Sequence, residues 1–81
     1  MEQVKRLVLA DAAQRGWHLR GSGARDLWRS LLRCDITDVS EGQQGWIGYG
    51  LSNGDHGSFS TRPEDLEANR QIRRLVGLPA L

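Results

Sequence analysis

Apolar residues recur at helical spacing in the first part of the chain. Val4, Leu7, Val8 and Ala12 would lie on one face of a helix predicted over residues 2–15, because residues three and four apart share one side of an α-helix. A second helix is predicted over residues 24–33, where an apolar stripe repeats at the same spacing. The members of this stripe are Ala24, Leu27, Trp28, Leu31 and Leu32.

Residues 46–51 alternate between two faces, as expected for a β-strand. Ile47, Tyr49 and Leu51 would share one face, since successive side chains of a strand point to opposite sides of the sheet. The other face would carry Trp46 and two glycines. If the first face packs on the helices, Trp46 is exposed. The opposite packing, which fits the pattern equally well, buries Trp46 and exposes Tyr49.

Two further strands are predicted on either side of this one, at residues 35–39 and 56–61. The segment Ser52–Asp55 contains the dipeptide Asn-Gly, which favours a type I′ turn between two hairpin strands. Together these features predict a three-stranded antiparallel meander.

A last helix is predicted after the strands. Thr61 and Glu64 fit a capping box at its start, and Gly77 is placed to end it. Its inner face would carry Leu66, Asn69, Ile72, Leu75 and Val76. We therefore expect an α+β fold in a single domain over residues 1–81. Its helices would pack on one face of the three-stranded antiparallel meander, in the order α-α-β-β-β-α.

The length of the chain limits the size of its core. Eighty-one residues make one small domain, and a small domain buries a modest share of its surface. Three tryptophans partly compensate, because each one buries a large apolar area. A monomer and a homodimer both fit this composition. The predicted core comprises Leu27, Trp28, Leu31, Ile47, Phe59, Leu66, Ile72 and Leu75.

Charge is segregated along the chain. Residues 34–61 contain four carboxylates and no Lys or Arg, whereas residues 1–33 contain seven basic and three acidic side chains. An acidic segment with no local cation favours a partner whose binding groove is lined by Arg or Lys. An aromatic side chain beside it would anchor such a complex. The predicted partner-binding residues are Asp35, Asp38, Glu41, Trp46 and Asp55.

A basic stripe on the second helix supports an alternative function. Arg25, Arg29 and Arg33 recur every four residues, which places them about 6 Å apart along one flank of a helix. This spacing suits the phosphate backbone of a nucleic acid. The alternative is therefore a nucleic-acid-binding module that uses Arg20, Arg25, Arg29 and Arg33. An ordinary solvated helix face is the remaining interpretation.

Catalytic chemistry has little support in the sequence. His56 follows Asp55, but neighbours on a strand point to opposite faces, so Asp55 would not orient the imidazole. Cys34 follows the end of a helix, where the negative end of the dipole disfavours a thiolate. As the only cysteine, it makes neither an internal disulfide nor a cysteine-based zinc site. We expect no catalytic residues, no metal site and no cofactor.

In class, the chain resembles small inhibitors encoded by phages or mobile elements, including anti-CRISPR proteins. Short length, one compact domain and uneven charge carry the resemblance. It implies a protein that binds a larger protein or ribonucleoprotein complex and occupies its nucleic-acid-binding groove. The helix followed by Gly16-Trp17 and the later meander are also similar to small RNA-cleaving toxins of the double-stranded-RNA-binding shape. Those toxins carry Gly-Ser-His, whereas here Gly21-Ser22 is followed by Gly23.

The sequence thus predicts a small non-enzymatic protein that inhibits or modulates a larger macromolecule. A toxin-like ribonuclease using His18 or His56 is the remaining alternative. Apolar runs are too short for a membrane span, and Glu2 argues against a signal peptide. With a single cysteine, the expected location is the cytoplasm.

Overall fold

The computed structural model describes all 81 residues and confirms the predicted α+β order. The elements are α1 (Glu2–Arg15), α2 (Ser22–Arg33), β1 (Ile36–Glu41), β2 (Ile47–Leu51), β3 (His56–Phe59) and α3 (Pro63–Val76). Short 3-10 turns lie at Trp17–Leu19 and Gln43–Gly45. The strands form one antiparallel sheet in the order β1-β2-β3.

One hydrophobic core lies between the helices and the inner face of the sheet. Its ten buried residues are Val4, Val8, Leu31, Ile36, Ile47, Tyr49, Leu51, Phe59, Ala68 and Ile72. Because Ile47, Tyr49 and Leu51 all belong to the core, alternation turns Trp46 to the opposite side of the sheet. Of the two packings that fitted the sequence, the one with Trp46 exposed and Tyr49 buried is observed.

The core prediction is correct for Leu31, Ile47, Phe59 and Ile72 and wrong for Leu75, which is 42% exposed. The buried face of α3 consists of Ala68, Asn69, Ile72 and Arg73. This face is centred between Asn69 and Arg73, so Leu75 lies at its margin. Leu27, Trp28 and Leu66 are half-buried.

Strand β1 contains a bulge that explains its irregular sequence pattern. Ile36 pairs with Leu51 and Asp38 pairs with Gly50, so Thr37 is an extra residue outside the register, although its hydroxyl donates to the Gly50 carbonyl at 3.3 Å. A bulge of this kind shifts the alternation of side chains by one position. Ile36 and Val39 therefore both face the core although they are three residues apart in the sequence.

The predicted hairpin forms, but its turn is not type I′. A type I′ turn needs positive φ at both central residues, and in this loop only Gly54 has it, at 92°. The Asn53 side chain instead accepts a hydrogen bond of 3.0 Å from the Asp55 amide. The Leu51 amide donates to the Asp55 carbonyl at 2.7 Å. This gives a three-residue loop, with Asn53 held locally by its own side chain.

The capping box predicted at Thr61 and Glu64 is also wrong. The residue that caps α3 is Arg62, and no side chain bonds to the first amides of the helix. The Asp65 carboxylate instead reaches back to Ser60, accepting bonds from its amide at 3.0 Å and its hydroxyl at 2.9 Å. Arg15 of α1 pairs with the same carboxylate at 3.1 Å, which draws Asp65 into this arrangement.

Candidate binding surface

The outer face of the sheet is open and has a glycine at its centre. Gly48 of β2 pairs with Ser40 on one side and Ser58 on the other. Trp46 projects from the same face and is 38% exposed. A groove of about 460 Å³ follows this row; its lining residues are Gly42, Gln43, Gln44, Trp46, Gly48 and Ser58.

The fold does not require a glycine at position 48, and at position 50 only the flexible end of the exposed Asp38 side chain lies close. A Cβ placed on Gly50 would lie 2.5 Å from Asp38 Oδ1, because the Asp38 side chain folds over that glycine. A Cβ on Gly48 would meet no atom closer than 3.9 Å. Glycine inside a strand costs about 0.5–1 kcal/mol relative to alanine. A glycine inside a strand often marks a bulge, a bend or a place where a ligand or another backbone approaches closely, and Gly48 lies in a regular, unbulged part of the ladder.

Trp46 is presented by a tight loop that leaves β1 and enters β2. The Gly42 amide donates to the Trp46 carbonyl at 2.7 Å, and the Trp46 amide donates to the Gln43 carbonyl at 3.1 Å. Gln44 has a positive φ of 57°, the only non-glycine residue of the chain that does. Such a conformation costs about 1–3 kcal/mol and persists where the surrounding structure enforces it, as it often does at functional sites.

Two buried side chains of α3 hold this loop from below. Asn69 Nδ2 and Arg73 Nη2 both donate to the Gly45 carbonyl oxygen, at 2.9 Å and 2.7 Å. Gly45 has a φ of 80°, and a Cβ there would lie 2.9 Å from Leu81 Cδ2 and 3.0 Å from Thr61 Cγ2. The loop is thus fixed in place before any partner arrives.

Arg73 is a buried cation, only 2% exposed. Its guanidinium also donates to the Pro79 carbonyl at 2.7 Å and forms an ion pair of 2.5 Å with Glu41. Glu41, predicted as a partner-binding residue, is therefore engaged in compensating an internal charge. A buried arginine left without a carboxylate would be costly.

Asp55 is likewise engaged within the protein. Its carboxylate accepts hydrogen bonds from the Ser30 hydroxyl on α2 and from the Asn53 side chain. These contacts fasten the hairpin loop to α2. The second helix is therefore tied to the sheet by a polar contact as well as by the core.

Asp35 and Asp38 are exposed, form no ion pair, and accept no side-chain hydrogen bond from another element of the fold; Asp38 accepts one from its neighbour Thr37 only. Asp38 lies on the outer face opposite Gly50. Asp35 lies at the hairpin end of the sheet, where its carbonyl accepts a bond from Ser52. Trp46 is at the other end of β2, about 17 Å from there at the rise of a strand. The five predicted residues therefore do not form one continuous patch.

The four arginines predicted as an alternative nucleic-acid surface are exposed, and their charges are not paired with carboxylates of the protein. Arg25, Arg29 and Arg33 are exposed, and none forms an ion pair. Arg20 is also exposed, and donates only to the Arg15 carbonyl at 3.2 Å. Arg25, Arg29 and Arg33 lie on the side of α2 turned away from the core, and Arg20 precedes the helix.

No hydrogen bond or ring stacking joins the candidate catalytic side chains to one another. His18 Nδ1 is 3.1 Å from the Ala12 carbonyl oxygen, and its ring stacks on Trp28 at 4.7 Å. His56 is exposed at the start of β3. Cys34 is half-buried against the core. No group of three or more side chains is arranged to hold a metal ion.

A partly buried ionic cluster joins α1 to the start of α3. The Arg15 guanidinium bonds to Asp11 at 2.7 Å and to Asp65 at 3.1 Å. Bonds to Asp11 raise the pKa of Arg15, although burial opposes this. Burial would raise the pKa of Asp65, but the hydrogen bonds from Ser60 and the charge of Arg15 outweigh it and lower the pKa. Burial raises the pKa of nearby Tyr49, and the Asp11 charge adds to the effect.

Comparison of the chain with protein-family models, with curated proteins and with solved structures gave no match. The helices of this protein are all too short or too polar to cross a membrane.

Proposed function

We propose that this protein is a non-enzymatic binding module that inhibits or modulates a larger protein or ribonucleoprotein complex. The open face of the sheet would dock on the partner, with Trp46 as the anchor. One observation carries the proposal: an exposed tryptophan stands on a loop fixed from below, beside Gly48, which the fold does not require.

The arrangement has the properties of an interface hot spot. Tryptophan is enriched among residues whose truncation costs 2 kcal/mol or more of binding free energy. Because the loop is already ordered, little conformational entropy is lost when a partner covers it. The bare backbone at Gly48 lets a partner's side chain or strand approach closely beside the indole.

Charge has a smaller part in this proposal than the sequence indicated. The groove beside Trp46 is lined by uncharged residues, and Glu41 and Asp55 are engaged internally. Asp35 and Asp38 remain to attract a basic partner surface. Charges of this kind mainly speed association, whereas a central aromatic side chain mainly slows dissociation.

Affinity capture from the host cell with immobilised wild-type and variant protein tests the proposal. We expect Trp46→Ala to weaken capture of the specific partner about 30-fold or more, the effect of losing a hot spot. Leu19→Ala, a second exposed apolar residue outside the sheet, is the matched control and should retain capture. Equal capture by wild type and Trp46→Ala would refute the proposal.

Charge reversal provides a second arm of the same experiment. Asp35→Lys combined with Asp38→Lys should weaken capture more at low salt than at high salt, because screening suppresses the contribution of exposed charges. Arg25→Glu combined with Arg29→Glu should have less effect on this partner. The opposite ranking would place the partner on α2 and not on the sheet.

A further inference from the structure

The outer face of α2 combines two features, a row of basic side chains and exposed apolar surface. The first is a row of arginines, Arg25, Arg29 and Arg33, exposed and free of ion pairs. Asp26 lies three residues before Arg29, at a spacing that permits pairing on a helix, yet the two form no ion pair. No carboxylate of the protein thus pairs directly with the row.

The second feature is an apolar strip beside this row. Leu32 is 52% exposed and lies one turn from Trp28 and three residues from Arg29, so all three are neighbours on the helix surface. Trp28 is half-buried, and the ring of His18 stacks on it at an interplanar angle of 25°. The stacking holds the indole in one orientation at the edge of the strip.

We propose that this face of α2 binds an acidic amphipathic helix of a protein partner. Apolar side chains of that helix would cover Leu32 and the edge of Trp28, while its carboxylates pair with Arg25, Arg29 and Arg33. This second surface goes beyond the function proposed for the sheet, because it uses other residues and a partner of defined chemistry.

The combination of side chains favours an acidic helix over a nucleic acid. A phosphate backbone would pair with the arginines but would leave Leu32 against water or sugar, without gain from its apolar area. An amphipathic helix satisfies both rows at once, since burial of apolar area contributes roughly 25 cal/mol per Å². Guanidinium and carboxylate groups also form paired, directional hydrogen bonds.

The length of α2 sets the size of the segment it can bind. Its 12 residues span about 18 Å at the rise of an α-helix. From Arg25 to Arg33 the row extends about 12 Å, slightly more than two turns. A partner helix of three turns would therefore match the face, with an apolar seam and carboxylates flanking it at spacings of three and four residues.

A titration of the isotope-labelled full chain followed by nuclear magnetic resonance tests this proposal. The probe is a synthetic peptide of about three heptads with leucine at the two seam positions and glutamate at the flanking ones. It is longer than the three turns that match the face because shorter isolated helices are only marginally stable in water. A peptide of the same composition in scrambled order is its control. We expect the ordered peptide to change the chemical shifts of the α2 amides. Its dissociation constant should be at least tenfold lower than that of the scrambled peptide and should rise with salt concentration.

Variants distinguish the contributions of the two rows. Leu32→Gln and Arg29→Gln should each weaken binding of the ordered peptide about fivefold or more. Arg70→Gln, on an exposed position of α3, is the matched control and should leave binding unchanged. Trp46→Ala should also leave it unchanged, so failure of the sheet proposal and failure of this one are separate outcomes. Circular dichroism melts verify that each variant is folded.

Three results would overturn the proposal. The first is equal binding of the ordered and scrambled peptides, and the second is ordered-peptide binding that Leu32→Gln does not weaken. The third is binding of a duplex RNA of about 16 base pairs at physiological salt that depends on Arg29 and is indifferent to Leu32→Gln. That third result would assign the face to phosphate binding.

Discussion

Arg73 donates a hydrogen bond of 2.7 Å to Asn69, one turn earlier on α3. Both side chains also donate to the carbonyl oxygen of Gly45, so the loop that presents Trp46 rests on a pair that is itself buried. Because each member of a buried polar network depends on the others, such networks specify one arrangement of the chain. The exposed anchor of the proposed binding surface is therefore positioned by the interior.

We expect Arg73→Met to lower the free energy of unfolding by roughly 2–4 kcal/mol, since it leaves the Pro79 carbonyl, Asn69 Oδ1 and Glu41 without their donor. Urea denaturation at neutral pH measures the change. Arg74→Met is the matched control, because its ion pair with Glu67 is exposed and 3.8 Å long; it should cost less than about 0.5 kcal/mol. Similar losses for both variants would contradict the role assigned to Arg73.

Gly48 and Gly45 should respond in opposite ways to alanine. Gly48→Ala has open space and should keep or raise stability by about 0.5–1 kcal/mol, while weakening capture of the partner. Gly45→Ala should destabilise the protein by about 1–3 kcal/mol, because it combines a positive φ with contacts to Leu81 and Thr61. Thermal denaturation and affinity capture of both variants check the pair. A destabilised Gly48→Ala would show that the glycine serves the fold.

Asp65 should make stability sensitive to acid. The pKa of Asp65 is lower in the folded state than in the unfolded state. The carboxylate therefore adds fully to the free energy of unfolding above the unfolded-state pKa of about 3.9. This stabilisation is lost as the pH falls through the folded-state pKa. Asp65→Asn should cost about 1 kcal/mol at pH 7 through weakened bonds to Ser60 and Arg15. The difference from wild type should shrink near pH 2. Denaturation curves at several pH values test this, and a difference that does not change with pH would argue against it.

Leu31 and Leu75 provide a direct comparison of a core and a marginal position. Leu31→Ala should cost roughly 2–5 kcal/mol, because a completely buried leucine leaves a cavity. Leu75→Ala should cost less than about 1 kcal/mol, because much of that side chain is already in water. Equilibrium denaturation gives both values. A loss below about 0.5 kcal/mol for Leu31→Ala would mean that α2 is not packed as described.

The sequence predicted those elements whose residues contact others nearby in the chain, or whose apolar residues repeat at the spacing of a helix or a strand. Val4, Val8 and Ala12 share a helix face, and Ile47, Tyr49 and Leu51 share a strand face, so both faces were visible as spacings. The exposure of Trp46 followed once the face that packs on the helices was known. The hairpin was predicted by its glycine, although its loop type was not.

Contacts between distant residues could not be predicted in this way. Arg73 looks like part of a basic helix end, since its partner, the Gly45 carbonyl, lies 28 residues earlier. Asp55 appeared to be a free carboxylate because Ser30, its partner, lies 25 residues earlier. A charge pattern counts side chains but does not show which of them are already compensated. The open space above Gly48 is a property of the folded sheet and could not be predicted from the sequence. The position of Gly48 in the same alternating segment as Trp46 was the one signal that the sequence contained.

The unpaired Thr37 has a consequence for how relatives of this protein would vary in length. Without Thr37, Ile36 and Asp38 would be adjacent. The side chains of Ile36 and Val39 would then point to the core and that of Asp38 to the outer face, as in a regular strand. Both apolar side chains would keep their contacts with the core, and Asp38 would keep its place opposite Gly50. Position 37 thus behaves as a one-residue insertion that the sheet absorbs as a bulge. A single-residue gap there in an alignment would be compatible with the same fold.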